Sequence, residues 1–353
     1  MALREGDLFD GRYRIQRLLG RGGMGEVWAA VAPPGNRRVA LKVLLDKAAR
    51  KPDLVARFER EARIAERIKS PFVCELVDSG KNAEGELYIA FELLQGESLA
   101  DRLRRETDLP FSEVGPVIED VLSGLVDAHG VGVIHRDLKP GNIFLEKFPD
   151  NTERAKVLDF GVSKVVRPAF GDERSLTAFD ATLGSFAYMA PEQVRGAARA
   201  DERADLYAVG AVAFRALAGR LPFEGTTASM LLAAKLDQEA PSLSVATGVQ
   251  WPGGIERFLA KALARDRKAR FANVAEALAA WRELAVDHNR ALAAGNASVQ
   301  GLLDDTNSMF PRSTNWDLAA LLPPSSGPPS SRPVLPPLPD PPQSDRDPRP
   351  PKG

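Results

Sequence analysis

Ten consecutive residues, Val133-Ile134-His135-Arg136-Asp137-Leu138-Lys139-Pro140-Gly141-Asn142, set a carboxylate five positions before a carboxamide, with a lysine between them. That order suits phosphoryl transfer: Asp137 can accept a proton from an incoming hydroxyl, and Asn142 can help hold a divalent cation on nucleotide phosphates. A five-residue fragment of such turn formers would read as a surface turn, but ten in this order do not. Asp159, in Asp159-Phe160-Gly161, follows at a strand end and can share a metal site with Asn142. Hard oxygen ligands suit Mg²⁺ or Mn²⁺, and no His/Cys cluster suggests zinc.

A second set lies upstream. Gly20-Arg21-Gly22-Gly23-Met24-Gly25-Glu26-Val27 follows an alternating stretch, Tyr13–Leu19. Glycines let backbone amides approach phosphate oxygens, and Val27 on the returning strand can roof a flat base. A dinucleotide-binding fold uses the same glycine spacing but continues into a helix. Here Val27–Val31, a turn at Pro33-Pro34-Gly35-Asn36 and Val39–Leu44 predict a hairpin instead. Lys42 lies among apolar neighbours on that last strand, so its ammonium needs an anionic partner. The next helix, with its apolar stripe at Leu54, Phe58, Ala62, Ile64, Ala65 and Ile68, offers Glu61, with Glu59 as the alternative.

These residues need rigid elements to hold them. Strands are expected at Val73–Val77 and Leu87–Phe91, then a connection that leads from Phe91 to a helix capped near Ser98. That connection can present backbone groups to an adenine edge, with Phe91 closing the back of the pocket. A long helix over Phe111–His129 should carry the Asp137 loop, and a hairpin turning at Pro149-Asp150-Asn151 should end at Asp159. The stretch from Asp201 to Leu217 is apolar on nearly all faces, as in a core helix, and its Asp205 would cap amides of the Asp137 loop. Further helices are expected at Ser229–Leu236, Ile255–Ala264 and Val274–Leu284, and Arg270 is placed to pair with Glu192.

The chain has 353 residues, enough for two lobes and a tail. Its 47 basic residues nearly cancel 48 acidic ones, so net charge recruits neither nucleic acid nor an anionic membrane. No stretch is long and apolar enough for a membrane span, and the single cysteine, Cys74, reads as a small buried hydrophobe in a reducing cytoplasm. From Pro323 to Gly353, thirteen of 31 residues are proline, a composition for extended polyproline II rather than a core. Such a tail is a spacer or an arm for a docking partner.

With the glycine loop, V-A-L-K, H-R-D-L-K-P-G-N, D-F-G and A-P-E in this order, the chain resembles the eukaryotic-like protein kinase family over about residues 9–285. Gly22-Gly23-Met24-Gly25, Met189-Ala190-Pro191-Glu192-Gln193 and Lys139 look like its bacterial serine/threonine branch. The resemblance implies an α+β bilobal fold: an N-terminal extension (1–8), a small β-rich N-lobe (9–93), a larger α-helical C-lobe (94–285), and a tail (286–353) disordered from about 323. It also implies transfer of the ATP γ-phosphoryl group to protein serine or threonine hydroxyls, with Mg²⁺ (or Mn²⁺), in cytoplasmic signalling. Lys42, paired with Glu61, would hold the α/β-phosphates; Asp159 and Asn142 the metals; Asp137 the hydroxyl; Lys139 the γ-phosphate. The implied nucleotide pocket is Leu19, Gly20, Gly22, Gly23, Gly25, Val27, Ala40, Lys42, Phe91, Glu92 and Leu94. Arg136 implies control by phosphorylation, with Thr177 the first candidate and Thr182 the second. Ser185 stands where the family usually has threonine, and Arg267 where it commonly has proline. A pseudokinase scaffold would be expected to lack Lys42, Asp137 or Asp159; a small-molecule phosphotransferase would lack Ala190-Pro191-Glu192.

Overall fold

Tyr13 and Ile15 are buried while Arg14 is exposed, the alternation of a strand with one covered face. A computed structural model describes residues 3–33, 35–160, 186–194, 196 and 200–284. The chain divides into units 1–295 and 296–353, and all the described residues belong to the first.

The N-terminal lobe is an antiparallel six-stranded sheet in the order β1-β2-β3-β4-β6-β5. Its strands are β1 (Leu8–Phe9), β2 (Tyr13–Arg21), β3 (Gly25–Ala32), β4 (Arg37–Leu44), β5 (Leu76–Lys81) and β6 (Leu87–Glu92). One face carries Trp28, Ala30, Val39, Leu41, Tyr88 and Ala90, which form a small core with Tyr13 and Ile15. The register pairs Val27 with Lys42, Lys42 with Ile89, and Ala40 with both Ala29 and Phe91, so these side chains share the other face. A short α1 (Asp46–Ala49) leads to α2 (Pro52–Arg67), whose Phe58 clusters with Leu44, Ala48 and Ile89.

The C-terminal lobe starts with β7 (Gly96–Ser98) and α3 (Leu99–Arg105), where Ser98 Oγ accepts the Asp101 N–H at 3.1 Å. Its core is built on α4 (Phe111–Gly130) and, beyond β8 (Ile143–Lys147), β9 (Glu153–Val157) and α5 (Pro191–Val194), on α6 (Arg203–Ala218). Strands β7, β8 and β9 form a second antiparallel sheet. Helix α6 buries residues on every face and stops at Gly219, whose φ of 69° is a left-handed cap. Helices α7 (Ala228–Asp237), α8 (Leu243–Thr247), α9 (Gly253–Ala262) and α10 (residues 274–284) cover it. On α10 the fully buried Trp281 donates its indole N–H to Gly115 O at 2.9 Å.

The structure departs from the sequence reading at the start of β5, at Cys74 and in several short elements. The strand expected at Val73–Val77 begins at Leu76, because Val73 bridges Val157 and Cys74 N–H donates to Val157 O at 3.0 Å. That apolar run serves the second sheet, while polar β5 is fastened through Asp78 to Tyr13 Oη (2.6 Å) and Tyr88 Oη (3.1 Å). Cys74 is half-buried rather than buried, although burial still pushes its thiol pKa far up. Strands β1 and β7 and helices α1 and α8 were not anticipated. No helix among the described residues is long and apolar enough to cross a membrane.

Candidate active site

Buried Val133 and Leu138 anchor the Asp137 loop, and the backbone amides of His135, Arg136 and Asp137 between them are each hydrogen-bonded to a side chain. Asp205, in the first turn of α6 and fully buried, receives three donors. Its Oδ2 takes the His135 N–H (2.8 Å) and His129 Nε2 (2.8 Å), and its Oδ1 takes the Arg136 N–H (2.8 Å). Burial alone would raise this carboxyl, but the His129 hydrogen bond and charge, with those of the loop, outweigh it and hold the pKa below the usual carboxylate range. His135 is equally buried: Nδ1 accepts the Asp137 N–H at 3.2 Å, which leaves Nε2–H to donate to Leu158 O at 2.9 Å. Its ring packs on Phe160 at 4.8 Å. Asn142 Nδ2 donates to Asp137 O at 2.8 Å, and Lys139 Nζ donates to Asp137 Oδ2 at 2.9 Å.

Two residues flanking this site have positive φ without being glycine, Arg136 (65°) and Asp159 (55°). Each costs about 1–3 kcal/mol and persists only where surrounding contacts overdetermine it. Asn142 keeps Oδ1 as an acceptor once its Nδ2 is engaged, and Asp159 is exposed. Leu158 N–H donates to Asn142 O at 2.9 Å, which ties the two segments together. Two hard oxygens suit a Mg²⁺-like cation whose remaining ligands come from phosphates and water. Among the described residues, no group of three or more His, Cys, Asp or Glu could hold an ion.

Opposite, Lys42 on β4 is salt-bridged to Glu61 Oε1 on α2. Glu61 is 2% exposed, whereas Glu59 faces solvent, which decides between them. Burial raises the Glu61 pKa; Lys42 opposes that, Asp159 adds to it, and Oε2 is buried with no hydrogen-bond partner among the described residues. Val27, Ala40, Lys42 and Phe91 share the lower sheet face, with Leu19 and Gly20 at the exposed end of β2. Gly22 N–H closes the glycine turn on Gly25 O at 2.8 Å. Gly25 has no room for a side chain, since a Cβ would stand 2.5 Å from Val43 O. Glu92 N–H donates to Glu75 O (3.0 Å), and its carboxylate accepts Lys156 Nζ (2.6 Å) from β9, which joins the N-lobe sheet to the second sheet. Leu94 follows, half-buried.

A lysine–glutamate pair faces a carboxylate loop with a metal-suited Asn/Asp set, and the family profile described as "Protein kinase domain" matches residues 13–281. The chain belongs to the protein kinase family. It is 41% identical over 230 residues to the serine/threonine-protein kinase pkn3 of Myxococcus xanthus, a match covering 65% of this chain and 42% of that one. It is 36% identical over 247 residues to PknA of Mycobacterium tuberculosis, covering 69% and 55%. The crystal structure of the Mycobacterium tuberculosis PknI kinase domain matches at 29% identity and a TM-score of 0.59, covering 80% of this chain and 99% of that one. The matched stretch thus spans less than two thirds of the length of the first two relatives.

Further out in the kinase, Arg270 is buried with all five N–H groups engaged. Two bind Glu192 at 2.7 and 2.8 Å and the others bind backbone carbonyls. Gln193 Nε2 donates to Arg136 O at 2.9 Å. Arg136 Nε is buried without a hydrogen-bond partner among the described residues, and the residue lines a cavity of about 390 Å³ with Arg60, Arg63 and Arg67. The sequence assigned no role to Gln193, Lys156 or His135, although Gln193 and His135 each sat in a motif that drew attention to it. Thr177, Thr182 and Ser185 lie outside the described residues, as does the tail.

Proposed function

We propose that this kinase domain transfers the ATP γ-phosphoryl group to serine and threonine hydroxyls of proteins. The observation that carries the reading is Asp137, whose backbone N–H donates to His135 Nδ1, whose backbone C=O accepts from Asn142 Nδ2, and whose carboxylate is contacted by Lys139 Nζ at 2.9 Å. A carboxylate so held can orient a substrate hydroxyl and accept its proton, while Lys139 offsets negative charge on the transferred group. Lys42, oriented by Glu61, holds the α/β-phosphates, and Val27, Ala40 and Phe91 offer an apolar surface to the base. Gly20 and Gly23 leave open space where phosphates would lie, a Cβ at Gly22 would stand 3.7 Å from Gly25 O, and Gly25 is accounted for by sheet packing. Asn142 and Asp159 would hold Mg²⁺ (or Mn²⁺), which when bound neutralises phosphate charge. In-line transfer to the hydroxyl requires no covalent intermediate on the enzyme.

Regulation is proposed to run through Arg136. A phosphate on Thr177 or Thr182, with about −1.5 to −2 charge, would find a guanidinium N–H unmet among the described residues and a cavity whose described lining holds four arginines and no carboxylate. The reading includes autophosphorylation, bacterial signalling in the cytoplasm, and the proline-rich tail as a spacer or docking arm. All the residues whose loss would make a pseudokinase are present, and the Lys42–Glu61 pair and Ala190-Pro191-Glu192 argue against a small-molecule phosphotransferase. Incubation with γ-labelled ATP and Mg²⁺ tests the reading: label should enter protein serine and threonine, and chelation of divalent cations should abolish transfer. Label passing only to small alcohols or amines, or to nothing, would contradict it.

A further inference from the structure

Lys235 has no part in the chemistry above, yet it is 1% exposed. On α7 it stands one turn beyond Leu231, the other fully buried residue of that helix, so a lysine occupies a core position. Its Nζ donates to Ala187 O (2.7 Å) and Met189 O (2.8 Å) and lies 5.1 Å from the centre of the Tyr207 ring on α6. No carboxylate pairs with it among the described residues. Burying an ammonium without a counter-ion is costly, and burial pushes this amine down to about 7. An apolar side chain would fill the position without that cost, so the two carbonyl contacts need a reason.

The segment it grips is joined to the catalytic loop. Ala190 N–H donates to Gln193 Oε1 at 2.9 Å, and Gln193 Nε2 donates to Arg136 O, the carbonyl just before Asp137. Glu192 is locked by Arg270, whose guanidinium lies 5.0 Å from the same Tyr207 ring. Residues 187–193 are therefore fixed at one end by Lys235 and at the other by Gln193 and Arg270. We infer that Lys235 is a positioning residue for the protein substrate, holding the Ala187–Met189 backbone in the place where a hydroxyl-bearing chain is presented to Asp137. The inference rests on Asp137 being the hydroxyl acceptor, and it assigns α7 a share in substrate recognition rather than in nucleotide handling.

The test is Lys235→Met in the full chain, with Lys235→Gln, which keeps N–H donors, as the conservative partner. Wild-type transfer to a protein substrate is measured first, because its failure would overturn the parent reading and not this one. The methionine variant should lose about 10- to 100-fold in kcat/KM for the protein substrate, the scale of a misplaced reactant. Its KM for ATP should stay within about twofold, while Lys235→Gln recovers part of the loss. A second readout is stability against pH. The native amine titrates near 7 and the unfolded one near 10.5, so Lys235 makes stability rise with pH between those values, and the methionine variant should lack that rise. The groups facing the amine are the Tyr207 phenol and, around the same ring, Arg270, Glu192 and Glu239. Unchanged kinetics toward protein substrate, or equal losses toward ATP and protein, would overturn the assignment; should Lys235→Met fail to fold, Lys235→Gln decides by the same split.

Discussion

The two halves of the candidate site are held in different ways. The Asp137 loop is bound from several directions, by Asp205 from α6, His135 to Leu158, Asn142 to Asp137 and Gln193 from α5. On the Lys42 side, α2 is joined to the sheet by the Lys42–Glu61 ion pair and by Phe58 packed with Leu44, Ala48 and Ile89, and among the described residues Glu61 Oε2 has no hydrogen-bond partner. A network anchored from several elements rigidifies, whereas a single buried pair can be made or broken as a unit. The contrast argues that geometry is permanent around Asp137 and adjustable around Lys42, so control should act on α2, whose Arg60, Arg63 and Arg67 share a cavity with Arg136.

The contrast breaks most sharply at Lys42. Lys42→Met should lower transfer by about 10²- to 10³-fold, the scale for removing one preorganised charge from a transition state, and should also lower the melting temperature because it leaves the buried Glu61 carboxylate without its partner. Steady-state kinetics and calorimetry on one preparation would check this. Asp205→Ala should act first on stability, costing about 3–5 kcal/mol because it strands His129 and two loop amides in the interior. Denaturant unfolding reads that directly. Since the Asp205 pKa is depressed, its stabilisation is present above the ordinary carboxylate range and is lost only as pH falls through the lower native value.

Glu61 supplies a finer test. Its raised pKa means that falling pH protonates it above the ordinary glutamate value of about 4.3 and releases Lys42, so activity should decline earlier on the acid side than an exposed glutamate would dictate. Its effect on stability has the opposite sign: the contribution is full below the unfolded value and is lost as pH rises through the native one. Glu61→Gln should lower the rate and flatten that acid limb, while thermal unfolding near neutral pH changes little. A pH profile of kcat/KM that keeps its shape in the variant would remove Glu61 from the adjustable half.

Much of this was legible in the sequence because the Asp137 loop and the glycine turn are contiguous, and local spacing fixes their chemistry. Helices α4 and α6 were readable from the apolar positions of Val114, Ile118, Leu122 and Leu125 and of Leu206, Val209 and Phe214. What escaped depends on partners far along the chain. Val73 looks like a strand residue of the first sheet, yet its contact is Val157. Gln193 and Lys235 are unremarkable polar residues until the fold brings them to carbonyls 57 and 48 positions away. Gly25 matched a phosphate motif, but the demand for glycine there comes from Val43 O on the neighbouring strand.

The central claim is that Asp137 serves the hydroxyl while the Lys42 side serves the nucleotide. It is tested most directly by measuring ATP binding and γ-phosphoryl transfer on the same sample of Asp137→Asn, beside wild type. The account predicts wild-type affinity for Mg²⁺-ATP with transfer reduced by about 10²- to 10⁴-fold, the usual range for loss of a general base. Transfer at a rate close to wild type, or loss of nucleotide binding together with transfer, would contradict it.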